Sequence, residues 1–416
     1  MSNPILVGID VHRKTNTVCA MDSQGQELTE RFTVDNNRPG TDEFVKHIAT
    51  IVANGDFDNI HIAAEATGWY WFHFFQALSQ DEFLNQWQVS LYPVNPRLTK
   101  NFKKTYVDMD HTDISDAFIV ADRLRMGRDL PALFQYDDTY WPLRILMRYR
   151  YHVVHNLARE KAHCMAILYL KASEYTRIKP FSDTFGAASQ AVLKEFSSIE
   201  EIAHIPFDQL VEFIDTKGRR RFPDPTENAG KLQQVARDSY CLPEAMQQPV
   251  HMILELSLQH INCLERQQKR LDVAIAQRME SIPQTLDTIP GFGPVFSAGI
   301  IAEIGHIQSF NCDQAKVAKY AGFKWRRHQS GDFKADESKL TRTGNRYLRY
   351  YFCEAANSVR MRDTDYAAFY KRKYNEVRKH QHKRAIVLTA RKLVRLVVRL
   401  LTTNQPYQPG RCSAKS

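Results

Sequence analysis

The sequence lacks the paired cysteines that mark zinc sites and disulfide frameworks. Its seven cysteines stand at positions 19, 164, 241, 263, 312, 353 and 412, with no Cys-x-x-Cys spacing. We recognise no secretory leader, and no apolar run approaches the roughly 20 residues that cross a bilayer. Structural zinc, disulfides and a membrane span are therefore not expected. The pattern favours a protein of a reducing compartment, the cytoplasm.

Acidic residues are scarce at the end of the chain where basic ones gather. Residues 324–400 hold 21 Lys and Arg against 7 Asp and Glu, whereas residues 1–116 hold 9 against 16. A chain of 416 residues is long enough for two or three domains with proper cores. An acidic module followed by a basic one predicts that a polyanion is brought to an acidic centre. The alternative is a basic face that only meets solvent.

Four carboxylates stand in ordered local contexts. Asp10 and Glu65 each end a short apolar run that is typical of a strand, whereas Asp113 and Asp116 are three apart in a stretch with helical spacing. Carboxylates gathered in this way repel one another without a cation, and oxygen ligands favour Mg²⁺ or Mn²⁺. The sequence predicts a metal site of the kind that cleaves phosphodiesters. The alternative is that the acids only cap helices and turns.

The first ~120 residues alternate short strands with helices, which indicates an α/β domain. We predict strands and two helices in this region: strands Ile5–Asp10, Thr17–Met21, Leu28–Val34, Ile60–Glu65 and Val89–Tyr92, and helices Thr41–Ala53 and Tyr70–Gln80. Turns join the first three strands, so they should form an antiparallel meander. A meander, a helix and further strands, with acids on strands 1 and 4 and on a last helix, is the ribonuclease H-like plan.

The middle of the chain is predicted to be helical, with long helices over 143–170 and 249–279. The second carries an imperfect heptad whose seam residues are Val250, Leu254, Ser257, Ile261, Leu264, Gln268, Leu271 and Ile275. This pattern fits a coiled coil, or an amphipathic helix packed on its own domain. Between the helices, the basic turn 217–221 either touches nucleic acid or is a solvated loop.

Near residue 283 a third module begins with a glycine hairpin. Gly291 and Gly293 predict a tight turn between two helices, which can present backbone N–H groups to a DNA phosphate. Most glycine hairpins are only turns, and that reading stays open.

Downstream, Ser330 stands before a glycine in a loop flanked by cations. The cations able to hold a phosphate are Arg326, Arg327, Lys339, Arg342, Arg346 and Arg349. A helix from about 344 to 359 would place Arg346 and Arg349 on one face, where they would hold the backbone rather than read bases. A serine hydroxyl is a weak nucleophile unless the attacked group is polarised, and in such a turn it is usually structural.

Taken together, these residues resemble the DEDD-type transposases of insertion sequences, the group described as bridge-RNA-guided recombinases. The matching segments are 8–14, 65–68, 94–96 leading to 111–117, and 289–293 through 320–322, 330–331 and 344–349. They lie at both ends of the chain in the order of the family.

The resemblance implies an α/β plus α architecture. Its parts are a RuvC-like, ribonuclease H-like domain at 1–135, a helical coiled-coil region with an insertion at 136–282, a mainly helical C-terminal transposase domain at 283–402, and a flexible tail at 403–416. It also implies that Asp10, Glu65, Asp113 and Asp116 bind Mg²⁺ or Mn²⁺. Ser330 would attack the DNA phosphate to form a phosphoserine link.

The same resemblance implies several partners. They are donor and target DNA, a non-coding guide RNA that selects sequence by base pairing, and further copies of the chain in a dimer or tetramer. The site would be shared between two protomers, and the protein would act on the nucleoid of a bacterium, away from membranes.

Three departures from the family pattern are visible. The middle region, about 170–245, is longer than a plain coiled coil requires. His111 stands where the family commonly has lysine, and the spacing around Ser330 keeps Ser338 as a reserve nucleophile. Two other functions share parts of the pattern. A metal-dependent Holliday-junction nuclease would use water in place of serine, and a non-catalytic nucleic-acid-binding protein would use the acids only structurally.

Overall fold

A mixed five-stranded sheet is formed by the start of the chain. Its strands are β1 (Pro4–Val11), β2 (Thr15–Met21), β3 (Phe32–Asp35), β4 (Asn59–Glu65) and β5 (Ser90–Val94). Their order is β3-β2-β1-β4-β5. The pairs β1–β2 and β2–β3 are antiparallel, whereas β1–β4 and β4–β5 are parallel. The predicted meander followed by further strands is confirmed.

The computed structural model describes residues 3–106, 110, 112–127, 130–131, 133–326, 329–330, 333–334, 339–341 and 343–409. At 326, 329–330, 333–334 and 339 it describes the backbone alone.

Side chains of β1 alternate between two separate cores, as the period of a strand requires. Ile5, Val7 and Ile9 pack in one core, whereas Leu6 packs in the other together with Ala63 and Ala117. The first core lies under helices α1 (Arg38–Ala53), α2 (Phe72–Gln80) and α3 (Glu82–Gln86). The second lies under α5 (Asp113–Arg125), which follows α4 (Pro96–Lys103). Even-numbered positions of β1 therefore face α5.

Local signals explain where the first helix begins. Asn37 caps α1 by accepting a hydrogen bond from the backbone N–H of Gly40, and a proline occupies the first turn. The helix therefore starts before the predicted residue Thr41. Strand β3 starts later than predicted, at Phe32. The backbone around Leu28 makes only a short bridge to β2.

Residues Leu143–Ser281 form a separate helical unit. Its helices are α6 (Tyr140–Lys171, which begins just before the unit), α7 (Tyr175–Ile178), α8 (Ala187–Glu195), α9 (Ile199–His204), α10 (Phe207–Lys217), α11 (Pro225–Asp238) and α12 (Glu244–Met279). Ion pairs Arg150–Asp272 and Lys161–Glu265 join α6 to α12 in antiparallel order. The two long predicted helices are thus confirmed.

The predicted heptad of α12 faces its own unit over most of its length. Six of the eight seam residues are buried, and Leu254 and Ile261 belong to the core of the unit. This burial supports an amphipathic helix packed on its own domain. A coiled coil between copies of the chain stays a prediction.

The last part of the chain is mainly helical. Its helices are α13 (Pro294–Ile304), α14 (Gln314–Tyr320), α15 (Arg346–Val359), α16 (Thr364–Asn375) and α17 (Gln381–Thr403). Short strands β6 (Trp325–Arg326) and β9 (Lys339–Leu340) pair with each other, as do β7 (Gln329–Ser330) and β8 (Phe333–Lys334). This part and the N-terminal sheet form one unit, Met1–Pro142 with Ile282–Ser416.

The helical unit begins after Pro142 and ends at Ser281. The domain boundaries predicted at 135 and 282 remain predictions. At the predicted tail, the backbone carbonyl of Gln405 accepts from Thr285, and Tyr407 donates to Asp363. Residues 410–416 lie outside the described part. Within the described residues, no helix is long and apolar enough to cross a membrane.

Candidate metal centre and C-terminal site

Two of the four predicted acids lie at the same edge of the sheet, the one formed by the carboxyl ends of β1 and β4. Strands β1 and β4 are parallel, and Ile9 is paired with Ala64, so Asp10 and Glu65 occupy the next positions of adjacent strands. Both belong to the alternating set that faces α5, since Leu6 and Ala63 pack in the core on that side. The carboxyl end of parallel strands is where α/β folds place ligands.

Helix α5 brings the other two acids to this edge. Thr112 caps the helix in a capping box with Ser115, which fixes Asp113 and Asp116 in the first turn. The helix crosses β1 at very short range, because a Cβ on Gly8 would collide with the backbone of Ala117 and Ala121. Glycine at this position is therefore what lets the helix approach the strand that carries Asp10.

His12 joins Asp10 to Asp113. Its Nε2 lies 3.2 Å from Asp10 Oδ2 and 3.3 Å from Asp113 Oδ1. One ligand atom from each of the three residues falls within 4.8 Å of the others, the spacing of a metal-binding group. The imidazole bridges two carboxylates that repel each other.

Charge and burial together change the acidity of this site. Burial is the largest cause that raises the pKa of Asp10 to about 6; the charge of His12 opposes the rise, and Asp116, Asp113 and Glu65 add to it. Burial lowers the pKa of His12, but the charges of Asp10 and Asp113 outweigh it, and the net shift is upward. All four predicted acids therefore interact electrostatically within one site.

Two further contacts hold the other acids in place. Lys103, the last residue of α4, forms an ion pair with Asp116. Thr67 donates its hydroxyl hydrogen to Glu65 Oε1 at 3.0 Å. Asp113 and Asp116 keep 62% and 37% of their side chains exposed, so a ligand can reach them from solvent.

The donor set fits a divalent cation. Carboxylate oxygens are hard ligands that suit Mg²⁺ and Mn²⁺. Burial, and then the charges of Asp116, Asp113 and Glu65, raise the pKa of Asp10, so a cation bound there would favour its ionised form. In the protein alone, Lys103 supplies one positive charge against these carboxylates, and His12 supplies another when it is protonated. Asp10, Glu65, Asp113 and Asp116 are the residues that would hold the metal, and His12 adds a nitrogen donor.

His12 and Lys103 are the site residues that the sequence analysis missed. His12 carried a signal, because it stands two residues after Asp10 and directly follows the end of β1, where its side chain can lie on the side that Asp10 faces. Lys103 carried none, since only the tertiary fold brings the end of α4 to the start of α5.

The predicted glycine hairpin has one helix where two were expected. A single 3₁₀ turn (Leu286–Thr288) precedes it, and α13 follows with Gly293 at its N-cap. Gly291 has φ +85°, and a Cβ there would lie 2.9 Å from the carbonyl oxygen of Ser358. Gly291 is therefore required by packing against the end of α15, whereas a Cβ on Gly293 would have nothing within 4 Å.

The two predicted arginines of α15 have different environments. Arg346 is exposed and lies over the ring of Tyr347, with its guanidinium carbon 4.7 Å from the ring centroid. Arg349 is half-buried against Gly322. Asn345 caps the helix and also donates to the buried Glu303 at 2.6 Å. Arg346 is thus exposed while its guanidinium donates to the hydroxyl of Tyr347 at 2.8 Å, and Arg349 packs against the turn at Gly322.

The predicted nucleophile lies in the short strand β7, where Ser330 pairs with Phe333. Its side chain is outside the described part of the structure, as are the side chains of Arg326 and Lys339. Residues Arg327, Arg342, Ser338 and His111 lie wholly outside the described residues. Their predicted roles stay predictions.

One described contact links the C-terminal segment to the sheet. Asn95, which follows β5, donates from Nδ2 to the backbone carbonyl of Thr343 at 3.1 Å. The neighbouring Val94 is paired with Glu65 across β4 and β5. The chain thus holds residue 343 near the strand edge that carries Glu65.

Comparison with known proteins agrees at both ends of the chain. An IS110-type DEDD transposase model matches residues 7–171, and the IS116/IS110/IS902 transposase family model matches residues 283–371.

Curated relatives extend the similarity over most of the chain. The chain is 23% identical to an uncharacterized 44.8 kDa protein of insertion element IS116 from Streptomyces clavuligerus, over 76% of this chain and 77% of that protein. It is 23% identical to an IS900 protein of Mycobacterium paratuberculosis over the whole of both chains. It is 24% identical to the pilin gene-inverting protein of Moraxella bovis, over 96% of this chain and 97% of that one. Because the two family models together span most of both terminal modules, the chain belongs to the IS116/IS110/IS902 family of transposases, whose DEDD members are typically metal-dependent.

Proposed function

We propose that this transposase excises and inserts an insertion sequence through a covalent phosphoserine intermediate, assisted by Mg²⁺ or Mn²⁺ and guided by a non-coding RNA. The observation that carries the proposal is the electrostatic coupling of Asp10 to Glu65, Asp113 and Asp116 at one edge of the sheet. A single acid at a strand end is commonplace, whereas four that converge beside a basic module suit a phosphodiester.

The carboxylates hold the cation, which when bound neutralises charge on the phosphate oxygens. His12 orients Asp10 and Asp113 relative to each other through its contacts with both. Lys103 keeps Asp116 paired before substrate arrives. Exposed cations of the C-terminal module, among them Arg346, grip the DNA backbone.

The covalent step assigned to Ser330 balances without an external energy source. The Oγ atom forms a bond to phosphorus, the bond from phosphorus to the leaving oxygen of the DNA breaks, and the serine proton ends on that oxygen. One phosphoester replaces another, so a new DNA hydroxyl can reverse the step and join strands without ATP. The name of the Moraxella relative, a pilin gene-inverting protein, supports a rearrangement of DNA of this kind.

The experiment is an adduct assay. Protein, element-end RNA and labelled DNA carrying the element junction are incubated with Mg²⁺ and run on denaturing gels before and after protease. We expect a protease-sensitive shifted band with the wild type that is absent with Ser330→Ala. The matched control is Ser309→Ala, which changes an exposed serine of the same module.

Each alternative has its own outcome in this assay. An adduct that persists in Ser330→Ala and disappears in Ser338→Ala moves the nucleophile to Ser338. Free cleaved ends without any adduct assign the attack to water, as in a junction-resolving nuclease. Binding without cleavage in Mg²⁺ or Mn²⁺ would leave only a nucleic-acid-binding role.

A further inference from the structure

Two large aromatic side chains are exposed in the loop that follows Glu65 of the candidate metal centre. Trp69 and Tyr70 follow Glu65 by four and five residues, and they are 43% and 49% exposed. The next residue, Trp71, is only 5% exposed and packs edge-on against Phe75 and Phe134. The chain therefore buries one aromatic ring of three and leaves two in solvent, where large apolar groups usually mark a binding surface.

Hydrogen bonds from the next two residues, Trp71 and Phe72, hold the loop that carries these rings. Gly68 has φ +58°, a left-handed conformation that turns the chain away from the end of β4. The indole N–H of Trp71 donates to the carbonyl of Gly68 at 3.3 Å. The backbone N–H of Phe72 donates to the carbonyl of Trp69 at 3.1 Å. The two exposed rings thus start from a backbone that the buried Trp71 fixes.

A single asparagine ties this loop to the turn that follows Asp10. The Nδ2 group of Asn36 donates to the carbonyl of Tyr70 at 3.1 Å and to the carbonyl of His12 at 2.8 Å. Its backbone N–H also donates to the carbonyl of Lys14 at 2.7 Å. Asn36 therefore joins the aromatic loop to the turn 12–14, and each of these two segments follows a strand that carries one of the acids, Glu65 or Asp10.

That turn adds positive charge to the surface. Arg13 and Lys14 are exposed, and neither forms an ion pair with a residue in the described part of the chain. Aromatic faces beside unpaired cations are the combination with which proteins hold single-stranded nucleic acid, because bases stack and phosphates pair with charge.

We propose that Arg13, Lys14, Trp69 and Tyr70, the aromatic rim, hold unpaired nucleotides of the DNA strand next to the carboxylates. Bases stack on Trp69 and Tyr70, while Arg13 and Lys14 take neighbouring phosphates. In a paired duplex the base faces are covered by their neighbours, so only a base out of the stack can use these rings. The inference rests on the proposed function, since it places the rim on the strand to be cut.

The test measures binding apart from cleavage. Fluorescence anisotropy in EDTA compares a labelled duplex carrying an internal loop of unpaired thymines with the same duplex fully paired. We expect Trp69→Ala/Tyr70→Ala to weaken binding of the looped probe by about 10-fold or more, with the paired probe changed by less than about 2-fold. The matched control is Tyr240→Ala, which removes an exposed ring (79%) outside the rim.

A conservative variant separates stacking from folding. Trp69→Phe keeps an aromatic face and should retain most of the affinity, while the quenching of tryptophan fluorescence by the looped probe should fall. Near-ultraviolet circular dichroism of the buried cluster around Trp71 checks that each variant is folded.

Three results would overturn the inference. They are equal losses on the looped and paired probes, no loss with the double variant, or a rim-dependent preference for a looped RNA over the DNA probe. None of these outcomes depends on strand cleavage, so the adduct assay can succeed or fail independently.

Discussion

Lys103 belongs to the acidic centre, although no motif near it in the sequence predicts this position. Lys103 pairs with Asp116, whose carboxylate also raises the pKa of Asp10. In the absence of metal, the ammonium group therefore offsets repulsion among the acids. The partly exposed pair contributes little by itself, so its effect should depend on whether another cation is present.

Lys103→Ala should lower the melting temperature slightly in EDTA, by about 1 to 3 °C. Saturating Mg²⁺ should reduce the difference in melting temperature between variant and wild type. The bound metal then neutralises the carboxylates, and it stabilises the folded state of both proteins. Thermal melts with EDTA and with Mg²⁺ measure both. Lys100→Ala, at an exposed position of the same helix, is the control. If the difference in melting temperature is the same in EDTA and in Mg²⁺, Lys103 does not offset repulsion among the carboxylates.

A second lysine, in the helical unit, is buried, and the charge of Glu201 only partly offsets the cost of that burial. Lys171 is 4% exposed, and its ammonium group donates to the carbonyls of Leu193 and Phe196 and contacts His251. Burial lowers its pKa from 10.5 to about 8. Between these values the unfolded chain binds a proton that the folded chain does not, so folding becomes more favourable as pH rises through this window.

Lys171→Met removes this titration. The free energy of unfolding of the wild type, relative to the variant, should increase by about 2 kcal/mol between pH 7 and pH 9.5. Urea denaturation of both proteins at the two pH values gives the difference. Lys269→Met, at an exposed position on α12, is the control and should show no such increase. A constant difference across the window would show that the amine is not desolvated.

Among the elements, the crossing of α5 over β1 decides the geometry of the site. Gly8 is the point of closest approach, and a methyl group there would displace the backbone of Ala117 and Ala121. Asp113 and Asp116 lie on the same helix and would move with it.

Gly8→Ala should therefore destabilise the protein by about 1–3 kcal/mol and weaken binding of Mn²⁺. Chemical denaturation and titration with Mn²⁺ followed by electron paramagnetic resonance measure the two effects. Gly230→Ala, in α11 where a Cβ meets nothing within 4 Å, should instead be neutral or slightly stabilising. If Gly8→Ala binds Mn²⁺ as tightly as the wild type, the close packing of α5 on β1 is not needed for metal binding.

The sequence predicted the elements of the sheet better than their relations. Strands β1, β2, β4 and β5 follow from apolar runs whose ends carry turn residues, and alternation in β1 already places Asp10 with Leu6. The sequence could not predict which other element packs against a given face of a helix or strand. The seam of α12 has the same period whether it meets α8 and its own unit or another copy of the chain. The contact of Lys103 with Asp116 likewise depends on how α4 returns to the sheet.

At the scale of the whole molecule, the decisive question is which protomer supplies Ser330 to the carboxylates. The family resemblance implies two protomers, the acids of one facing the serine of another. Within one chain, Asn95 holds Thr343 near the strand edge that carries Glu65, which is the arrangement from which a site within one protomer would be built.

Mixing two inactive variants distinguishes these arrangements. Asp10→Asn removes the acid and Ser330→Ala removes the nucleophile, so each protein alone should form no adduct. If sites are shared in a dimer, random exchange makes about half of the dimers mixed. Each mixed dimer then has one site with both groups intact, and about a quarter of the wild-type adduct should return. We expect this recovery in the protease-sensitive adduct assay, and a mixture with no adduct would place acids and serine in the same protomer.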